Sequence, residues 1–213
     1  MSPTRSTTRD DDQAACNFNR TISKRAFFTI GHSTRPLAAF IDLLVESACN
    51  FVVDVRTNPR SLTNPQFNVD TLPAALRRRR IGYEHVSKLG GFRKRPAGDS
   101  HNTFWTNMSF RNYADYALSQ PFREGLAELV EIGSRHRCAV MCAELVWWRC
   151  HRRIISDYLL ADDHAVYHIM APGKVTPATP TPAAVKTRDG SLVYPAAEIS
   201  EAGTQTVEPL STS

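Results

Sequence analysis

Cys138-Ala-Val-Met-Cys-Ala-Glu144 is followed, after five residues, by Cys150-His-Arg-Arg-Ile-Ile-Ser-Asp-Tyr-Leu-Leu160. The first stretch opens on five apolar residues, which reads as a strand buried on both faces. The second carries Ile154, Ile155, Tyr158 and Leu159 at helical spacing from Arg153 onward. A buried strand that passes through a polar loop into a helix is the building unit of open α/β sheets. Such sheets place ligands at the carboxyl ends of their strands and at helix N-termini. Cys142, Glu144, Cys150, His151 and Arg152 fall at that junction.

The same alternation runs outward in both directions. Ala26-Phe-Phe-Thr-Ile30 is a compact strand, followed by Pro36 and by Leu37, Phe40, Ile41 and Leu44 at helical spacing. Phe51-Val-Val-Asp-Val55 is a second buried strand. Residues 58–68, with two prolines and three asparagines, form a loop. Leu72, Ala75 and Leu76 begin a short helix whose end, Arg77–Arg80, complements the helix dipole. Tyr83-Glu-His-Val is read as a further strand, 110–118 and 122–136 as two helices, and Ala165–Ile169 as the last strand. Strands alternating with helices predict an α/β, Rossmann-like fold: a mostly parallel open sheet with helices on both faces, in a single domain.

Around that domain, assigned to 26–171, residues 1–25 read as a disordered leader. Residues 172–213, rich in Pro, Ala and Thr, read as a flexible tail, with 186–194 suited to a small hairpin. The stretch 90–106 lacks periodicity and carries Gly90, Gly91 and the run Arg93-Lys-Arg95. A loop of that length in a compact domain is usually functional, and it is expected to wall the cleft.

Composition narrows the class. The 213 residues fit one domain with tails, and no apolar run approaches the roughly 18 residues of a membrane span. The polar N-terminus lacks the apolar region of a secretory signal. Five cysteines in no disulfide spacing suggest reduced thiols and a cytoplasmic location. The net charge of +5 suits either a solvated surface or a phosphate-bearing partner.

Three strands end in polar residues, at Gly31-His32-Ser33, Asp54-Val55-Arg56 and Cys142-Ala143-Glu144. In a parallel sheet these ends share one edge, so the topology predicts a common cleft. Glu144, Asp54, His32, His151, Cys142 and Cys150 are the candidate catalytic residues. Ser33, Arg56, Gly90, Gly91, Arg93 and Arg152 are the candidate substrate-binding residues. Each has a plainer explanation. His32 can cap a turn, Asp54 and Arg56 can form a structural pair, and buried cysteine is a common small hydrophobe. Glu144, closing a buried strand, calls for a partner, and Arg152 in a first helical turn calls for an anion or an acid. The spacing of Cys142, Cys150 and His151 matches no common zinc pattern, so no metal is assigned. Without a P-loop or a G-x-G-x-x-G fingerprint, no cofactor is assigned either.

Eight ordered motifs resemble one family. They are Ile30-Gly-His-Ser33, Asp54-Val-Arg56 with Pro59, Asn64-Pro-x-Phe67-Asn68, Gly82-Tyr-x-His85, Leu89-Gly-Gly91, Phe110-Arg-x-Tyr113-Ala114, Cys142-Ala-Glu144 and Cys150-His-Arg152. The chain resembles, over about residues 26–170, the domain-of-unknown-function 488 family. Phe92 departs from an arginine that often follows the two glycines, with Arg93 able to compensate. Asp162-Asp163 replaces an Arg-Gly-like turn. The resemblance implies a Rossmann-like α/β domain of bacterial type and supplies no reaction.

Function is therefore read from the site. The leading expectation is an enzyme acting on a nucleotide or nucleic acid by hydrolysis or group transfer. Arginines would hold phosphate, Glu144 or Asp54 would serve as acid/base, and Trp147 and Trp148 would either stack a base or pack beneath the loop. One alternative is a thiol-dependent sulfurtransferase- or phosphatase-like enzyme using Cys142 or Cys150. The other is a non-catalytic anion-sensing module. No membrane partner is expected, and oligomeric state is left open.

Overall fold

The computed structural model describes residues 26–94 and 98–196. The expected leader 1–25, Arg95 and the end of the expected tail (197–213) lie outside the described residues. The strands are β1 (Phe27–Gly31), β2 (Phe51–Asp54), β3 (Gly82–His85), β4 (Cys138–Cys142), β5 (Val166–Ala171) and β6 (Lys174–Pro177). They form one sheet in the order β3-β2-β4-β1-β5-β6. Every pairing is parallel except β5 with β6. The fold is α/β, Rossmann-like and of one domain.

Among the described residues five helices cover the two faces: α1 (Leu37–Glu46), α2 (Leu72–Arg77), α3 (Met108–Tyr116), α4 (Gln120–Arg135) and α5 (Arg152–Ala161). β1 and β4 are buried throughout because both faces are covered. Their alternating side chains build two cores. Phe28, Ile30, Ala139 and Met141 pack with Phe40 and Leu44 of α1 and Leu72 and Leu76 of α2. Phe27, Cys138, Val140 and Cys142 pack with Tyr113 of α3, Leu129 of α4 and Ile155 of α5. The pleat thus sends Cys142 toward α3–α5, the side from which Cys150 also enters the core. β1 and β4 are neighbours, yet the helices that follow them lie on opposite faces. That divergence is the topological switch point at which open α/β sheets bind ligands.

Local signals account for the helix starts. Asn107 caps α3 by accepting from the N–H groups of Ser109 and Phe110, and Ser119 caps α4 by accepting from Phe122. α2 ends at Arg77, so Arg78–Arg80 form the turn after the helix rather than its last turn.

The flexible tail expected from 172 is corrected over 172–196. β6 extends the sheet, and Val185–Lys186 (β7) pairs with Leu192–Val193 (β8) in a small hairpin. Leu192 and Tyr194 are buried in the α3–α5 core. The Tyr194 hydroxyl donates to Asp157 Oδ2 (3.0 Å), and Asp157 Oδ1 accepts from Thr181 N (2.8 Å). The Tyr194 amide donates to Asn102 Oδ1 (2.9 Å), which ties the segment to the loop before α3. Apolar anchors spaced among polar and proline residues give this segment its packing without a periodic signature. No helix of the described residues is long and apolar enough to cross a membrane.

Candidate active site

The carboxyl ends of β1, β2 and β4 are laced together by backbone. His32 N donates to Cys142 O and Ser33 N to Ala143 O, both at 2.9 Å. A Cβ at Gly31 would lie 1.8 Å from the Glu144 carbonyl oxygen, so only glycine lets the β1 end pass the loop after β4.

On the α1/α2 side, Asp54 is buried and fully engaged. It accepts from Arg56 N (3.0 Å), Arg56 Nε (2.9 Å), Arg56 Nη2 (2.5 Å) and the Tyr83 hydroxyl (2.7 Å). Arg56 also donates through Nη2 to Phe67 O (2.7 Å) and through Nη1 to His32 Nε2 (3.2 Å). Because arginine has only donors, Nε2 of His32 is the acceptor, and Nδ1–H donates to Ser33 O (2.8 Å). Burial pushes the His32 pKa down to about 4; the charges of Arg56 and Arg152 add to this, against Ser33 O and Asp54. The ring stacks on Phe67 at 4.3 Å between centroids. His32, Asp54 and Tyr83 therefore hold Arg56 in one orientation.

On the α3–α5 side, Cys142, Cys150 and His151 gather. His151 Nδ1 lies 3.6 Å from Cys150 Sγ and 4.0 Å from Cys142 Sγ. Its Nε2–H donates to Val55 O at 3.1 Å, which turns Nδ1 toward the sulfurs. The ring rests on Gly91, where a Cβ would come within 2.2 Å of Nδ1. Arg152 Nε donates to Cys150 Sγ (3.3 Å) and Nη2 to Glu144 O (2.5 Å). The Cys150 thiol is held well below its ordinary pKa. Burial opposes that shift, but the hydrogen bond with Cys142 and the His151 and Arg152 side chains outweigh it. The Cys142 thiol is raised by its hydrogen bond with Cys150 and by burial. The three donor atoms lie within 4.8 Å of one another, close enough to share one metal ion.

A cavity of about 370 Å³ opens at this edge. Of the residues singled out in the sequence, Arg56, Gly91, Cys142, Glu144, Cys150 and His151 line it. His32, Ser33, Asp54, Gly90, Arg93 and Arg152 do not, though His32, Asp54 and Arg152 support residues that do. Three expectations are corrected. Glu144 lies beyond the strand and is exposed, so its carboxylate carries no buried charge. Arg152 is 1% exposed and meets a sulfur and a carbonyl oxygen rather than an acid. Arg93 donates to Ser87 O and Lys88 O and lies 3.8 Å over the Tyr116 ring, so it fastens its loop rather than facing the cavity.

Thr57, Asn58, Phe92, Ser109, Phe110, Ala143 and Arg149 complete the lining. Two signals point to them: Thr57 and Asn58 follow Asp54-Val-Arg56 directly, and Ser109 and Phe110 open a helix. Trp147 stacks on His168 at 4.1 Å, whereas Trp148 is 47% exposed.

No curated protein and no solved structure matches this chain. A family model does match, from just before α1 nearly to the end of α5, and so takes in β2, β4 and the whole sulfur–imidazole cluster. That match, residues 36–159, covers more than half of the chain, which belongs to the DUF488 family, a domain of unknown function.

Proposed function

We propose that the cavity is the active site of an enzyme that takes a phosphate-bearing substrate, a nucleotide either free or within a nucleic acid, and acts on it by hydrolysis or group transfer. One observation carries this reading: a pre-ordered guanidinium and a sulfur–imidazole cluster line the same cavity. Arg56 is fixed by Asp54, Phe67 and His32 before any ligand arrives, so little ordering is lost when it meets an anion. Arg149 adds a second guanidinium to the lining. Phe92, 78% exposed, and Phe110 offer aromatic surface for a base. The volume falls in the range of about 300–1,000 Å³ usual for small-molecule sites.

The reactive pole is the cluster of Cys142, Cys150 and His151 rather than the carboxylate pair. Asp54 has both oxygens committed to Arg56 and Tyr83, so it positions Arg56 and does not move protons. Glu144 remains, among the described residues, as the one carboxylate on the cavity wall, exposed to serve as acid or base. The lowered Cys150 thiol favours a second reading, a thiol-dependent reaction in which Cys150 is the nucleophile.

The test is calorimetry with inorganic phosphate and a nucleoside monophosphate, on the wild type and on Arg149→Ala. Loss of a charge-assisted hydrogen bond should weaken binding about tenfold or more without altering the melting curve. No binding of either ligand, or equal affinity in the variant, overturns the reading. Binding without turnover of any phosphate ester assigns the cavity to an anion-sensing module.

A further inference from the structure

We infer that Cys142, Cys150 and His151 form a three-ligand site for a thiophilic divalent metal of the zinc type, with the fourth coordination position open to the cavity. The inference rests on reading that cavity as the working site, and it names the site's chemistry.

The donor geometry supports it. Zinc–sulfur and zinc–nitrogen bonds of about 2.3 and 2.1 Å at a tetrahedral angle separate sulfur from nitrogen by about 3.6 Å. Cys150 Sγ and His151 Nδ1 are 3.6 Å apart, and Cys142 Sγ is 4.0 Å from the same nitrogen. All three donor atoms fall within 4.8 Å of one another, so small side-chain adjustments complete the shell. Two thiolates and an imidazole select a soft or borderline ion over calcium or magnesium, which need oxygen ligands.

The surroundings support it independently. Metal-bound histidines donate their distal N–H to a carbonyl or carboxylate, which fixes the ring. His151 does this through Nε2 to Val55 O at the end of β2. Gly91 leaves room for the ring at that position. Arg152 Nε donates to Cys150 Sγ, the kind of N–H to sulfur bond that stabilises a coordinating thiolate. The ligands stand on firm elements: Cys142 ends a fully buried strand, and Cys150 and His151 lead directly into α5, with His151 at its N-cap. The two remaining described cysteines, Cys49 and Cys138, belong to no such group among the described residues.

Three protein ligands and an open position mark catalytic rather than structural zinc sites. All three ligands line the cavity, and Glu144 and Arg56 share that lining. A water held there would add its oxygen to the phosphorus of a phosphate ester and give a proton to Glu144 on the same wall, while the ester P–O bond breaks and the departing alkoxide takes a proton from solvent. Binding releases the thiol protons to solvent. The two thiolates then neutralise the divalent ion, and the charge of Arg149 on the cavity wall remains to attract the anion.

The test uses the full chain, purified reduced and treated with a chelator, and titrated with cobalt(II) as the probe. Wild type should bind one equivalent. The spectrum should show thiolate-to-cobalt charge transfer in the near ultraviolet and intense tetrahedral bands in the visible. Cys142→Ser and His151→Gln should lose or strongly weaken that spectrum, while Cys49→Ala keeps it. Zinc-edge X-ray absorption on the wild type needs no variant, and should show two sulfurs with nitrogen or oxygen completing the shell. Absence of the charge-transfer band, a shell without sulfur, or an unchanged spectrum in Cys142→Ser overturns the inference. Phosphate and nucleotide binding by the same chelated chain is measured in parallel. If it persists while cobalt fails, the metal assignment falls and the phosphate reading stands, with Cys150 left as a nucleophile. If cobalt binds and nucleotide does not, the metal site stands and the substrate reading falls.

Discussion

Gly91 and His151 are in direct contact: a Cβ at position 91 would sit 2.2 Å from Nδ1 and 2.7 Å from two ring carbons. The ring has little room to retreat, since Nε2 is bonded to Val55 O and the Tyr113 ring lies 4.9 Å away. Gly91→Ala should therefore displace the imidazole from the two sulfurs. We expect a stability loss of about 1–3 kcal/mol, the usual cost of forcing a methyl into a packed site. Urea melts give the stability, and reaction with a thiol reagent reads the cluster. Unchanged thiol reactivity would mean that the ring does not govern those cysteines.

Asp54 and Arg56 form a buried pair whose partners are all accounted for. Asp54→Asn should lower stability by about 3–5 kcal/mol, because it leaves the Arg56 charge uncompensated. Tyr83→Phe removes one donor from the same carboxylate and should cost about 1–2 kcal/mol. Chemical denaturation separates the two. A stable Asp54→Asn protein that binds phosphate normally would show that the pair does not position Arg56.

The parallel sheet was legible because β1, β2 and β4 are apolar runs of strand length and α1, α4 and α5 carry helical periodicity. Strand order was not. β4 inserts between β2 and β1 through crossover packing, to which no local pattern points. The shared edge at Asp54, Arg56 and Cys142 followed from parallel topology. The division of that edge into an arginine nest and a sulfur cluster did not, because it depends on which way each side chain leaves its pleat. Seven residues separate Cys142 from Cys150, a spacing outside the usual metal patterns, since Cys142 ends a strand while Cys150 and His151 lead into a helix. Glu144 is not a strand residue: the strand stops at Cys142, and two residues on, the chain is already at the surface.

Acid should destabilise the fold through two buried histidines. His168 is packed between Thr29, whose hydroxyl lies 2.8 Å from Nδ1, and Trp147, and its Nε2 has no partner among the described residues. Burial lowers its pKa to about 3, with the charge of Arg152 adding, and His32 is lowered to about 4. Both folded values lie below the ordinary 6.5, so the unfolded chain binds protons first as pH falls. The stabilisation is complete above about pH 6.5 and is lost progressively down to about pH 3–4. His168→Gln should reduce the slope of stability against pH in that window by up to about 1.4 kcal/mol per unit. Urea melts between pH 7 and 4 measure it, and an identical slope in the variant would mean that His168 is already charged in the folded protein.

Residues 172–196 should prove necessary to the domain. Ending the chain at 171 would delete β6, leaving β5 as an open edge, a liability in any sheet. It would also remove Leu192 and Tyr194 from a core that contains Trp105 and Tyr158, and strip Asp157 of both its partners. Asp157 is buried on α5, the helix that begins with Arg152. Burial raises its carboxyl pKa, and the bonds from Thr181 and Tyr194 hold the shift in check. Without them, a charge would be buried with no donor, at a cost of several kcal/mol. We expect the truncated chain to lose cooperative melting, and Tyr194→Phe alone to cost about 1–2 kcal/mol. Because Tyr194 also bonds Asn102 in the loop leading to α3, the truncation should loosen Ser109 and Phe110 on the cavity wall. Hydrogen exchange across 98–112 reads that loosening. A truncated chain that melts like the intact protein, with unchanged exchange in that loop, would show that the segment only decorates the sheet.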